Sequence, residues 1–167
     1  MPLIDFLRRN AARRGPFVLV CFILGLMAGS GAFMLKRLTA LISRLATDGV
    51  AADTIPWRFL WLPIVGVVLA GILQRYIVRQ PLDHGTRRIN EALRSRGCRI
   101  APSTILSPIA GASFTLGLGG SAGSEGPIAY ASAAMGSNLG RLLGMPPRLM
   151  AALVAIGGGA GIAGISV

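Results

Sequence analysis

Gly123-Ser124-Glu125-Gly126-Pro127 is the stretch that decides how this chain is read. Glu125 is the only charged residue in the 41 residues from Ile100 to Gly140, with 25 uncharged residues before it and 15 after it. A carboxylate at bilayer depth costs about 2.5 to 3.5 kcal/mol on insertion, so it is kept where it faces a cavity, a partner or an ion path. The small residues around it let an ion or pore approach the backbone. Pro127 suits the first position of a helix, where its missing amide hydrogen costs nothing. The pattern predicts an ion gate on a half-helix.

The flanking sequence has the composition such a gate requires. The chain is 53% hydrophobic and 14% charged. Uncharged runs at Pro16 to Leu35 (20 residues), Phe59 to Gln74 (16), Ile100 to Ser124 (25) and Leu149 to Val167 (19) are near membrane-spanning length. The 15-residue run after Glu125 reaches only about 23 Å at 1.5 Å per residue, which suits a helix that begins inside the membrane. Broken helices of that kind are tolerated around buried or watered sites. These features predict an all-α, polytopic membrane protein with tilted and broken helices. The expected elements are a cytoplasmic surface helix over 1–15 and membrane helices over 16–47, 57–80, 101–122, 127–143 and 148–167. Thr47 to Thr54 reads as an external loop, and Pro81 to Arg99 as a cytoplasmic segment with a short helical pattern at Ile89 and Leu93.

A net charge of +11 raises nucleic acid as a partner, but the basic residues sit at the ends of the apolar runs, where they act as topology signals. If the N-terminus and the segment from Arg75 to Arg99 share a side, that side carries eleven basic residues. Six are then left opposite: Lys36, Arg37, Arg44, Arg58, Arg141 and Arg148. The asymmetry places the N-terminus in the cytoplasm of a multi-pass protein of the plasma (inner) membrane, with the lipid bilayer and no nucleic acid as partner. The first apolar run is too long for a signal peptide, and the rest of the chain is too apolar for a secreted soluble domain. Cys21 and Cys98 lack metal-ligand spacing and read as free thiols. No nucleophile, metal cluster or acid–base pair points to an enzyme or a cofactor. Two glycine-rich stretches, Gly117 to Ala122 and Gly159 to Gly164, fit a dinucleotide fingerprint by spacing but lie in apolar runs without a βαβ context. Gly25 to Gly29 and Gly136 to Gly140 read as helix-packing pairs.

Three segments together carry a family resemblance: Gly119-Gly120-Ser121-Ala122-Gly123-Ser124-Glu125-Gly126-Pro127, then Gly136-Ser137-Asn138-Leu139-Gly140-Arg141, then Ala155-Ile156-Gly157-Gly158-Gly159-Ala160-Gly161-Ile162-Ala163. In this order and spacing the chain resembles the CLC family of chloride channels and chloride/proton antiporters. The resemblance implies that Glu125 is a gating glutamate whose carboxylate occupies an anion site when charged and leaves it when protonated or displaced by chloride. Gly123, Ser124 and Gly126 flank that site, and the amides of Ile128 and Ala129 are the candidate chloride contacts. The family's Gly-Ser-Gly-Ile-Pro anion loop corresponds here to Asp83-His84-Gly85-Thr86-Arg87. Only Gly85 matches, so either His84 replaces the serine or Thr86 supplies the hydroxyl; Ser124 stands where the family often has a basic residue.

The implied function is chloride transport, as a channel or as a chloride/proton antiporter, with the full-length form a homodimer. The family's membrane domain has two inverted halves, and this chain ends in an apolar run on Gly-Ile-Ala-Gly-Ile-Ser-Val. The expectation is therefore a partial first half that does not conduct alone. The alternative is a non-conducting structural or regulatory membrane module.

Overall fold

The computed structural model describes residues 14–47, 58–78, 85–94, 98, 100–121 and 123–166, and all regular structure among them is helical. The helices are α1 (Arg14–Thr47), α2 (Arg58–Ile72), α3 (Gly85–Arg94), α4 (Leu106–Gly117), α5 (Glu125–Leu142) and α6 (Pro147–Ser166). A π-helical segment, Leu73–Val78, prolongs α2, and a 3₁₀ turn, Pro102–Thr104, precedes α4. The expected all-α architecture is present. The surface helix expected over 1–15 lies outside the described residues except for Arg14 and Gly15, which belong to α1, and the external loop over 47–54 lies outside them except for Thr47.

Among the described residues, two helices, Phe17–Thr47 within α1 and α6, are long and apolar enough to cross a membrane. The 31 residues of the first would extend about 46 Å, well beyond a hydrocarbon core of roughly 30 Å, so this helix must tilt or project from the bilayer. Val20, Leu24, Ala28, Ala32 and Leu35 form its buried stripe at helical spacing, while Val18, Phe22, Leu26 and Phe33 face outward. α2 likewise exposes Trp61, Ile64, Val65 and Val68. Such outward apolar faces suit lipid contact.

The run expected as one membrane helix over 101–122 is broken. α4 covers only its middle, because Gly119 adopts φ +87 and the chain reverses there. The Gly119 amide donates to the Leu116 carbonyl at 3.1 Å and the Gly120 amide to the Thr115 carbonyl at 2.8 Å. This paired arrangement closes a helix around a left-handed residue, which glycine adopts without steric penalty. Hydropathy alone does not reveal that stop, since the residues on both sides of it are apolar or small.

Buried side chains gather in two clusters at different heights of the bundle. The first joins Val20 and Leu24 of α1, Ala92 of α3, Tyr130, Ala133 and Ala134 of α5, and Met150, Leu153 and Val154 of α6, together with Leu143 and Met145. The second joins Ala32 and Leu35, Ile109 and Ala112, and Ile128 and Ala131, with Ile165 packed against it. α1 and α6 therefore run from the first level to the second, and α5 returns. Gly117 of α4 approaches Thr39 and Ile42 of α1 near the second level, and Gly119 lies beside Pro63 of α2. This path corrects the charge distribution read from the sequence. Arg141 and Arg148 lie at the first-level end, with the start of α1 and with α3, rather than opposite them.

α5 and α6 form the most extensive contact in the bundle. A Cβ on Gly136 would collide with the Leu153 carbonyl, one on Gly157 would lie 2.5 Å from the Ser132 carbonyl oxygen, and one on Gly140 would lie 3.0 Å from Met150 Cγ. Close backbone approach of this kind is the use of small residues in membrane helix packing. The Gly136 to Gly140 pair thus packs helices as expected. Gly25 and Gly29, the other pair, both have open space where a Cβ would lie, although a Cβ on Gly164 would come within 3.4 Å of the Gly29 Cα.

Candidate ion gate

α5 begins at Glu125, two residues before the expected start, so Pro127 is its third residue. The position remains compatible with proline because the first turn's amides have no intrahelical partners. Ser124 is the N-cap residue, and its hydroxyl makes no capping hydrogen bond. The amides of Ser124, Glu125 and Gly126 therefore end the helix without an intrahelical acceptor, where the helix dipole adds partial positive charge. The Ile128 amide donates to the Ser124 carbonyl at 3.3 Å, and the Ala129 amide lies one residue deeper in the helix. Ile128 and Ala129 are buried, and Ile128 packs in the second cluster.

The Glu125 side chain is exposed in this chain and forms no ion pair among the described residues. Within those residues, Glu125 is therefore not half of a buried structural salt bridge. The ion pair that is present, Arg87 to Glu91 at 3.1 Å, lies on the surface of α3. Gly123 is exposed, while Ser124 and Gly126 are half-buried. A free carboxylate in the first turn, next to uncommitted amides, is an anion sitting where an anion is favoured.

The helix beneath this tip is held rigidly. Ser132 is fully buried against Gly161 of α6, and its Oγ has no hydrogen-bond partner among the described residues. Further down, Ser137 Oγ accepts from the Ile100 amide at 3.0 Å and donates to the Cys98 carbonyl at 2.6 Å. Asn138 Nδ2 donates to the Ile100 carbonyl at 3.2 Å and to the Ala134 carbonyl at 2.7 Å. Ser137 and Asn138 thus hold Cys98 and Ile100, which lie between α3 and α4, and Cys98 takes φ 44. Both residues stand in the Gly136 to Arg141 motif, which by itself assigns them no role. Their signal was the adjacency of two hydrogen-bonding side chains inside an otherwise apolar helix.

Of the second expected anion-binding stretch, His84 lies outside the described residues. Gly85 and Thr86 are the first two residues of α3 rather than part of a loop. α3 packs through Ile89, Ala92 and Leu93 into the first cluster, whereas the start of α5 belongs to the second level.

The family model for the voltage gated chloride channel matches residues 66–165, more than half of the chain. The chain belongs to the voltage gated chloride channel family. The match spans α2 from Gly66, all of α3, α4 and α5, and all but the last residue of α6, so it contains Glu125 and both polar clamp residues. Membership places the chain among channels and transporters and makes it an integral membrane protein. Comparison with curated proteins and with solved structures gives no match.

Proposed function

We propose that this chain carries the outer gate of a chloride path, with Glu125 as the gating residue. The observation that supports it is the carboxylate in the first turn of α5, unpaired among the described residues, beside helix-end amides that the Ser124 side chain does not cap. Chloride and the carboxylate are both anions, and the amides of Ser124, Glu125 and Gly126 offer one favourable place for either. Competition for that place opens the path when chloride wins or when the carboxylate takes up a proton. Gly123 and Gly126, lacking side chains, leave room for the ion; His84, Gly85 and Thr86 are a second anion contact. In this reading protons are a second partner if the protein is an antiporter, and two copies associate in the full-length form.

The test is Glu125→Gln in the full-length protein, reconstituted in liposomes. The amide keeps nearly the size of the carboxylate but cannot carry its charge, so chloride flux should persist, lose its dependence on pH and no longer drive protons. A well-folded Glu125→Gln protein that kept pH-dependent, proton-coupled flux would remove Glu125 from the gate. A protein that folds and binds no anion in either form would favour the non-conducting module.

A further inference from the structure

The arginines at the first-level end of the bundle converge in a way their sequence positions do not show. Arg94 ends α3, Arg141 lies in the last turn of α5 and Arg148 in the first turn of α6. All three are exposed. Leu93, Leu143, Met145 and Leu149, neighbours of these arginines in sequence, pack into one apolar knot, so three helix termini are gathered at one place.

We propose that this end docks anionic phospholipid headgroups, with Arg94, Arg141 and Arg148 as the residues that meet the lipid phosphates. Charge complementarity supports a lipid phosphate as the occupant. Among the described residues at this end the acidic residue is Glu91, and it is already paired with Arg87 at 3.1 Å. A guanidinium presents forked donors that match phosphate geometry. The apolar surroundings support a bilayer rather than a soluble polyanion. Leu142, between Arg141 and the turn, is 64% exposed, and Pro146 and Pro147 are exposed beside Arg148. Apolar side chains set next to arginines at the end of membrane-length helices fit the acyl boundary, with the charges at headgroup level. The opposite end is built differently. Lys36 and Arg37 follow each other on α1 alone, and Arg37 lies over the Phe33 ring at 5.0 Å.

The test uses the whole chain purified in neutral detergent, with phosphatidylglycerol and phosphatidylcholine supplied in equal amounts and retained lipid counted by native mass spectrometry. Phosphatidylglycerol should be retained over phosphatidylcholine by about fivefold or more, the scale of one arginine near an anionic surface. R94Q/R141Q/R148Q should lose that preference with unchanged helicity by circular dichroism, R94K/R141K/R148K should keep most of it, and K36Q/R37Q should leave it intact. If the triple glutamine variant loses helicity, R148Q alone, at an exposed first-turn position, repeats the comparison and should lower the preference. Equal retention of both lipids by the wild type would overturn the proposal. So would an equal loss in K36Q/R37Q, displacement of the lipid by excess inorganic phosphate, or preferential retention of a single-stranded oligonucleotide.

Discussion

A Cβ placed on Gly161 would collide with Ser132 Oγ and lie 2.8 Å from Ser132 Cβ and 3.0 Å from the Ile128 carbonyl oxygen. The Ser132 hydroxyl could rotate away, but Ser132 Cβ and the Ile128 carbonyl oxygen are fixed to the helix, so a methyl group there must push α6 off α5. Gly161→Ala should destabilise the chain by about 1–3 kcal/mol, the scale of overpacking in a closely packed interior. Gly25→Ala adds the same methyl where nothing lies within 4 Å. It should be neutral or stabilising by up to about 1 kcal/mol through helix propensity. Thermal unfolding in detergent separates the two, and equal midpoints would mean that α5 and α6 do not approach as described. The close approach matters to the gate because Ile128 and Ser132 are one and two turns below Glu125. Glu125 itself was legible as the lone charge of an apolar stretch, but its lack of an ion-pair partner among the described residues was not, because pairing depends on what the fold brings near it.

At the scale of elements, the link between α3 and α4 is fixed to α5 by side chains rather than by a ladder of backbone bonds. Ser137 serves the Ile100 amide and the Cys98 carbonyl at once, and both Ser137 and Ile100 are buried. Ser137→Ala would leave a buried donor and a buried acceptor unsatisfied, with a cost of about 1–3 kcal/mol. The Ile100 amide should then exchange with deuterium faster while the exchange of α6 is unchanged. Unchanged protection at Ile100 would show that the clamp does not hold the link. Ser166→Ala, which removes only exposed bonds to the Ile162 and Ala163 carbonyls, should have no measurable effect. The helices themselves were largely readable, since α2, α5 and α6 begin and end within a few residues of the limits of the apolar runs, and α1 begins at such a limit but continues past Leu35 to Thr47. α4 was not, because its ends are set by a proline-led turn and a left-handed glycine inside one continuous apolar run.

For the molecule as a whole, the path of the helices sharpens the charge asymmetry that sets orientation. Among the basic side chains that are described, Arg75, Arg87, Arg94, Arg141 and Arg148 lie toward one end, and Lys36, Arg37 and Arg44 toward the other. An excess of basic residues marks the cytoplasmic side. In intact cells, and with Cys21 and Cys98 replaced by alanine, Arg148→Cys should be shielded from an impermeant external thiol reagent and Arg44→Cys should react. The reverse pattern would invert the topology. Labelling at Arg148 and Arg94 from the same side would still support the helix path, while labelling from opposite sides would overturn it.

The sequence by itself determined that the chain is helical, that it belongs in a membrane, and that Glu125 is its one anomaly, because hydropathy, charge and the penalty for an intramembrane carboxylate are properties of residue order. It also carried the family resemblance, because the glycine, glutamate and proline motifs keep their spacing along the chain. Only the tertiary structure decided which end Arg141 and Arg148 occupy, which glycines are close-packed, and what Ser137 and Asn138 hold. Those outcomes depend on the direction in which each helix crosses the bundle and on which faces meet. The amides at the start of α5 belong to the same class: the carbonyl of Ser124 takes up the Ile128 amide, and that choice of first turn leaves the donors of residues 124–126 open.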